Sequence, residues 1–248
     1  QTQSTKMIAP TYSEVFGKTA VELAEKDEQI VAITPAMREG SCLAEYSEAY
    51  PDRYFDVGIA EGHAVTFAAG LAQAGTRPLL AIYSSFLQRG FDHLIHDVAL
   101  QHLPVILCVD RGGLVGGDGA THHGALDISY MLEIPDIIIS APKDGNELRN
   151  LMYTAHQYTD GAFSIRYPKE PSGEYDTGQE PELLPIGSWE RLSEGEHVVV
   201  LAVGAMVSRA KEALEELEKR GLRYGLVNAR FVKPFDADML AELVEQYD

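Results

Sequence analysis

Short apolar runs recur along the first two-thirds of the chain. They are QIVAIT (29–34), RYFDVGI (53–59), RPLLAIY (77–83), PVILCVD (104–110), DIIIS (136–140) and FSIRY (163–167). Each is strand-sized and bounded by turn residues, so each reads as a strand. Between most of them lie helical patterns. Val15, Phe16, Ala20 and Leu23 share one face of 12–26. Leu87, Phe91, Leu94, Ile95 and Val98 share one face of 86–101, and Leu148, Leu151, Met152 and Ala155 one face of 144–158. A further helix, 61–74, is rich in alanine. Continuous apolar strands separated by amphipathic helices predict an α/β fold, a mostly parallel sheet covered by helices on both faces.

The pattern breaks at PKEPSGEYDTGQEPELLPIGS (168–188), which is rich in Pro, Gly and Glu and has no period. It reads as an interdomain linker. After it come a strand, HVVVLAVG (197–204), a helix (206–220), a strand, YGLVNA (224–229), and a helix start at FDADML. The expected organisation is therefore one domain over 1–180, with the linker from about 168, and part of a second α/β domain over 186–248. A chain that starts at Gln1 and stops at Asp248 inside a predicted helix reads as a fragment of a longer polypeptide.

Composition narrows the function classes. The chain has 248 residues and a formal net charge of −18. Phosphate backbones and anionic membranes need a basic face, so neither nucleic acid nor a membrane is an expected partner. Any arginine facing a phosphorylated ligand must be placed locally. The two cysteines, Cys42 and Cys108, sit in apolar contexts without disulfide or metal-type spacing, which fits a reducing compartment. No run is long enough to span a bilayer, and no signal peptide is visible.

Chemical groups gather where predicted strands end. In FDVGIAEGHAVTFAAG (55–70) Glu61 stands where a strand becomes a helix. It is either a first-turn residue favoured by the helix dipole or a partly buried carboxylate that shares a proton with a ligand nitrogen. In IYSSFLQRGFD (82–92) Tyr83, Phe86 and Arg89 put aromatic surface and a cation just past a strand's carboxyl end, where open α/β sheets bind ligands. Core packing with a solvated arginine is the alternative. In CVDRGGLVGGDGATHHG (108–124) six glycines surround Arg111, Asp118, His122 and His123, a loop that a ligand can approach closely. Arg166 ends a strand on the same edge and is either a bidentate phosphate donor or half of a surface salt bridge. His93 and His96 lie on one predicted helix beside Asp97, with no third ligand, and do not make a metal site.

Taken together, FDVGIAEGHAVTFAAGLA, AIYSSFLQRGFDHLIHDVALQHLPV, DRGGLVGGDGATHHGALD, IRYP and VNARFVKPFD resemble the 1-deoxy-D-xylulose 5-phosphate synthases. These are thiamine-diphosphate enzymes related to transketolase. The likeness runs from about Thr11 to the end. It implies a pyrimidine-binding domain and the first part of a transketolase-type C-terminal domain. It also implies a cytoplasmic homodimer acting on pyruvate and D-glyceraldehyde 3-phosphate, at the entry to isoprenoid and thiamine biosynthesis. Glu61 would hydrogen-bond the N1′ nitrogen of the cofactor's aminopyrimidine, and Phe86 would stack on that ring. Ile59 and Arg89 would complete the cofactor side. Tyr83, Arg89, Arg111 and Arg166 match positions around the substrate, the arginines mostly near its phosphate. Asp118 and His122 match catalytic polar groups near the reacting centre. Magnesium and the cofactor's diphosphate would belong to an N-terminal domain, and no metal ligand is expected here. GDG (117–119) with Asn146 imitates the magnesium–diphosphate motif, but GGLVG is a poor strand and KDGNEL reads as a helix start. Two positions depart from the family: Gly62 and His123 stand where glutamine is usual. A transketolase half, a 2-oxoacid dehydrogenase β-subunit and an inactive α/β scaffold module are the alternatives.

Overall fold

The computed structural model describes residues 9–247. The first eight residues of the domain expected over 1–180, and Asp248, lie outside them. Among the described residues the chain runs α1 (Tyr12–Lys26), β1 (Ile30–Thr34), α2 (Ala44–Ala49), β2 (Tyr54–Asp56), α3 (Glu61–Gln73) and β3 (Arg77–Tyr83). Next come α4 (Ser84–Leu87), α5 (Phe91–His93), β4 (Ile106–Asp110), α6 (Asp127–Leu132), β5 (Ile138–Ser140), α7 (Gly145–Gln157) and β6 (Phe163–Arg166). The second part holds β7 (Glu190–Ser193), β8 (Val199–Ala202), α8 (Met206–Glu218), β9 (Gly225–Asn228), β10 (Phe231–Lys233) and α9 (Ala237–Gln246).

The large sheet has the order β10-β5-β6-β4-β3-β1-β2 and is parallel except for β10. Its strands are apolar throughout because both faces are covered. Leu79 and Ala81 of β3 pack with Phe16, Leu23, Leu148 and Met152 of α1 and α7. Leu80 and Ile82 point the other way, against Ala64, Val65 and Ala68 of α3. The two-residue period of the strand thus feeds two separate cores. Helix α1 begins at a capping box in which Thr11 and Glu14 satisfy each other's backbone N–H groups.

Two elements differ from the pattern reading. The helix expected over 86–101 is broken into α4, a 3₁₀ turn (Gln88–Gly90), α5, a π-type turn (Leu94–Val98) and a second 3₁₀ turn (Ala99–Gln101). Gly90 lies so close to α3 that a Cβ there would be 2.7 Å from Val65 Cγ2, and the chain winds unevenly around that contact. Strand β2 stops at Asp56, short of residue 59, because its carboxylate captures the N–H groups of Gly58 and Ala36, both at 2.9 Å. Strands β7 and β10 carry no clear alternation and were not expected. Strand β10 pairs antiparallel with β5, so the large sheet receives a strand from beyond the linker. The small sheet has the order β7-β9-β8.

The linker itself is fastened to α7. The side chains of Asn146, Asn150 and Thr154, one helical turn apart, accept the backbone N–H groups of Asp176 (2.7 Å), Glu182 (3.0 Å) and Leu184 (2.9 Å). Arg149 donates to the Gln179 carbonyl at 2.6 Å. Asn146 is therefore a linker clasp, and Asp144 is the residue that caps α7. Each such bond contributes about 1 kcal/mol. We predict that Asn150→Ala lowers stability by about 1 kcal/mol and that the Asn146→Ala/Asn150→Ala pair speeds proteolytic cleavage within 174–188. Urea midpoints and limited proteolysis check this; cleavage no faster than in the unsubstituted chain contradicts it.

Candidate active site

Parallel pairing brings the carboxyl ends of β2, β1, β3, β4 and β6 to one edge of the sheet. The register sets Thr34 beside Asp56, Tyr83 beside Asp110, and Val109 beside Arg166. Every residue expected to carry chemistry sits on or just past this edge. Glu61 follows β2, Tyr83 ends β3 with Phe86 and Arg89 behind it, Arg111 to His122 follow β4, and Arg166 ends β6.

Glu61 is the first residue of α3 and is only 6% exposed. Its Oε1 accepts from Arg89 Nη1 at 2.9 Å, while the Arg89 side chain is 64% exposed. The carboxylate is thus both a first-turn residue of the helix and buried. Arg89 lies 5.7 Å from the Phe86 ring centroid. Phe86 stacks on Tyr83 at 5.3 Å and meets the His122 ring edge-on at 5.2 Å. Ile59 is 86% exposed.

Arg111 is held from several sides. It is buried, with φ +59, an uncommon backbone for a long side chain. Its Nη1 donates to Asp110 Oδ2 (2.7 Å), the Gly40 carbonyl (2.8 Å) and Ser13 Oγ (3.3 Å). Its guanidinium lies 4.1 Å from the Tyr83 ring centroid, a cation–π contact. The Ser13 hydroxyl donates to Asp110 at 2.7 Å. Gly40 is required here, because a Cβ would overlap the Tyr83 hydroxyl.

The glycine-rich loop is closed at its base by paired bonds between Gly113 and Gly124, both 2.8 Å. His123 Nδ1 accepts the Val115 N–H at 3.1 Å, so this departure from the family pattern staples the loop internally. Asp118 pairs with Lys169 at 2.6 Å, and that hydrogen bond holds its carboxyl below the usual range. Arg166 donates to Asp127 (2.7 Å) and to the Gly124 carbonyl (3.3 Å). Gly112 lets Arg166 pass, since a Cβ there would lie 2.7 Å from its Nε. Gly62, the other departure, faces His93: a Cβ at 62 would lie 2.7 Å from His93 Cε1.

The structure therefore joins Glu61, Arg89, Phe86, Tyr83, His122, Arg111 and Asp118 in one chain of contacts. Arg166 sits at the far end of the row, on β6, and reaches it through the loop. Pattern reading missed Ser13, Gly40, Asp110, Asp127 and Lys169. Asp110 did carry a signal: a charge closing a fully apolar strand asks for a partner.

Two family models match the chain. The description "Transketolase, pyrimidine binding domain" covers residues 9–173 and "Transketolase, C-terminal domain" covers 187–248. The chain belongs to the transketolase pyrimidine-binding family. It is 56% identical over 244 residues to the 1-deoxy-D-xylulose-5-phosphate synthase of Aquifex aeolicus, covering 98% of this chain and 38% of that protein. The Brevibacillus brevis enzyme of that name is 52% identical over 241 residues, with 97% and 38% covered. The chain thus spans about two-fifths of the length of these curated relatives. Among solved structures, a "Split gene transketolase, inactive beta4 tetramer" superposes with a TM-score of 0.84 at 26% identity, covering 96% of this chain and 77% of that one. A Pichia stipitis transketolase, at 19% identity and a TM-score of 0.76 over 92% of this chain and 36% of that one, shares the fold.

Burial pushes the Asp110 carboxyl up to about 6, against the pull of Arg111 and Ser13. An unfolded aspartate titrates near 3.9, so between about pH 4 and pH 6 the folded chain keeps a proton that the unfolded chain has released. This group's contribution to stability is present at low pH and is lost as pH rises through about 6. Urea midpoints from pH 4.5 to 7 should show the unsubstituted chain losing stability relative to Asp110→Asn. Parallel profiles would contradict this.

Proposed function

We propose that this chain supplies the pyrimidine-facing side of the active site of a thiamine-diphosphate transferase. That enzyme condenses pyruvate, with loss of carbon dioxide, and D-glyceraldehyde 3-phosphate to 1-deoxy-D-xylulose 5-phosphate. The observation that carries this reading is the buried Glu61 carboxylate at the strand-to-helix junction, paired with Arg89, which in turn lies over the Phe86 ring. It is supported by the 56% identity to the Aquifex aeolicus synthase.

The residues present fit the group they would hold. An aminopyrimidine needs an acid for a ring nitrogen and a flat apolar face, and Glu61 and Phe86 offer both within one cluster. When bound, thiamine diphosphate supplies the electron sink for decarboxylation. Glu61 holds and shares a proton at the N1′ atom of the pyrimidine. Phe86 and Ile59 form the apolar side of the cofactor site, and Arg89 is the counter-ion that Glu61 exchanges for the pyrimidine nitrogen. Arg111 and Arg166 face the substrate phosphate, with Tyr83 packed beneath Arg111. Asp118 and His122 bind and orient the substrate near the reacting carbon. Among the described residues no group of three or more His, Cys, Asp or Glu side chains forms a cation site. We assign Mg²⁺ and the diphosphate to another part of the whole protein. No described helix is long and apolar enough to cross a membrane. A cytoplasmic homodimer completes the proposal.

The likeness to the split-gene transketolase supports a second reading. The chain would then be a separate subunit, completed by a companion chain, that transfers two-carbon units between sugars. Product analysis with the full-length protein distinguishes the two. We expect 1-deoxy-D-xylulose 5-phosphate from pyruvate and D-glyceraldehyde 3-phosphate, and a loss of about 10²- to 10⁴-fold in kcat for Glu61→Gln. Two-carbon transfer between sugars without this product would favour the second reading.

A further inference from the structure

The cations on this edge each face an acid: Arg89 has Glu61, Arg111 has Asp110, Arg166 has Asp127 and Lys169 has Asp118. Glu61, Asp110 and Asp127 are buried and anchored in the frame of the domain. Asp118 differs. It sits on the loop between Gly117 and Gly119 (φ +81), and its side chain is 25% exposed. Its carboxylate also lies between two cations. Oδ1 is 2.6 Å from Lys169 Nζ, and Oδ2 is 4.0 Å from Arg111 Nε. Arg111 Nε is buried and has no hydrogen-bond partner. A buried N–H without an acceptor is costly, so the slot calls for an anion that comes closer than Asp118 does.

We propose that Lys169 is a further phosphate-recognising cation, and that the Asp118 carboxylate is a stand-in anion which the phosphate of the ligand displaces. This rests on the function proposed above. A phosphate monoester has three terminal oxygens and reaches both Lys169 Nζ and the unpartnered Arg111 Nε, which one short carboxylate does not. The exchange breaks no covalent bond. A partly exposed lysine–carboxylate pair contributes little stability, so Lys169 changes partner at small cost. The flanking glycines let Asp118 turn away, and the freed carboxylate is then able to accept a hydroxyl of the ligand. Lys169 is held in place by its neighbour. The Glu170 carbonyl accepts from Tyr12 N at 3.2 Å, and its carboxylate pairs with Arg209 of α8 at 2.7 Å.

Two independent readouts test this. In the full-length enzyme, Lys169→Met should raise KM for D-glyceraldehyde 3-phosphate roughly tenfold, with kcat and KM for pyruvate within about twofold. Turnover with unphosphorylated D-glyceraldehyde should not change, and Lys169→Arg should restore KM. A merely structural lysine would affect both acceptors alike, and that result would overturn the proposal. The second readout is titration with inorganic phosphate, followed by NMR or calorimetry. Lys169→Met should weaken phosphate binding and Asp118→Asn should tighten it; equal affinity in all three proteins would also overturn it. If the unsubstituted enzyme makes no product from pyruvate and D-glyceraldehyde 3-phosphate, the proposed function fails, while the phosphate titration still decides the role of Lys169.

Discussion

The ion pair between Asp110 and Arg111 is the interaction on which the site depends. It closes β4, the strand flanked by β3 and β6 in the large sheet. An arginine that deep needs an anion, because a lone buried charge is far costlier than a paired one. Asp110 supplies it and is itself steadied by the Ser13 hydroxyl from α1. Once fixed, the Arg111 guanidinium supports the Tyr83 ring, Tyr83 supports Phe86, and Phe86 packs against His122. A frame interaction at the end of β4 thereby sets the position of aromatic groups at the end of the neighbouring β3.

The remaining charges follow the same rule with different degrees of burial. Arg166 is tied to the buried Asp127, whereas Arg89 reaches from solvent to the buried Glu61. Glu61 thus has one partner that can leave without exposing a second buried charge. That asymmetry suits the role proposed for Glu61, in which a ligand nitrogen replaces the arginine. The π-type and 3₁₀ turns after α4 belong to the same design, since Gly90 brings the Arg89 segment against the first turn of α3.

Much of this was legible in the sequence, for a definite reason. Strands buried on both faces read as unbroken apolar runs, so RPLLAIY and PVILCVD announced the parallel sheet. The strand-end groups were legible because glycine and charge interrupt apolar context there. What stayed hidden depends on distance along the chain. Nothing local pairs Ser13 with Asp110, Asp118 with Lys169 or Asp127 with Arg166. The three linker clasps of α7 are polar residues on a helix, a pattern that also describes any solvated face. The helix over 86–101 kept its apolar spacing through irregular turns, so the pattern concealed the breaks. Strands β7 and β10 are short, and their pairing is set by the sheet that receives them.

In the proposed function Glu61 exchanges Arg89 for a pyrimidine nitrogen. A structure of the full-length protein with thiamine diphosphate and magnesium tests it most directly. The expected result is a Glu61 oxygen within about 3 Å of N1′, with the Phe86 ring against the pyrimidine. A bound cofactor whose pyrimidine lies away from Glu61, with the Glu61–Arg89 pair unchanged, would contradict it.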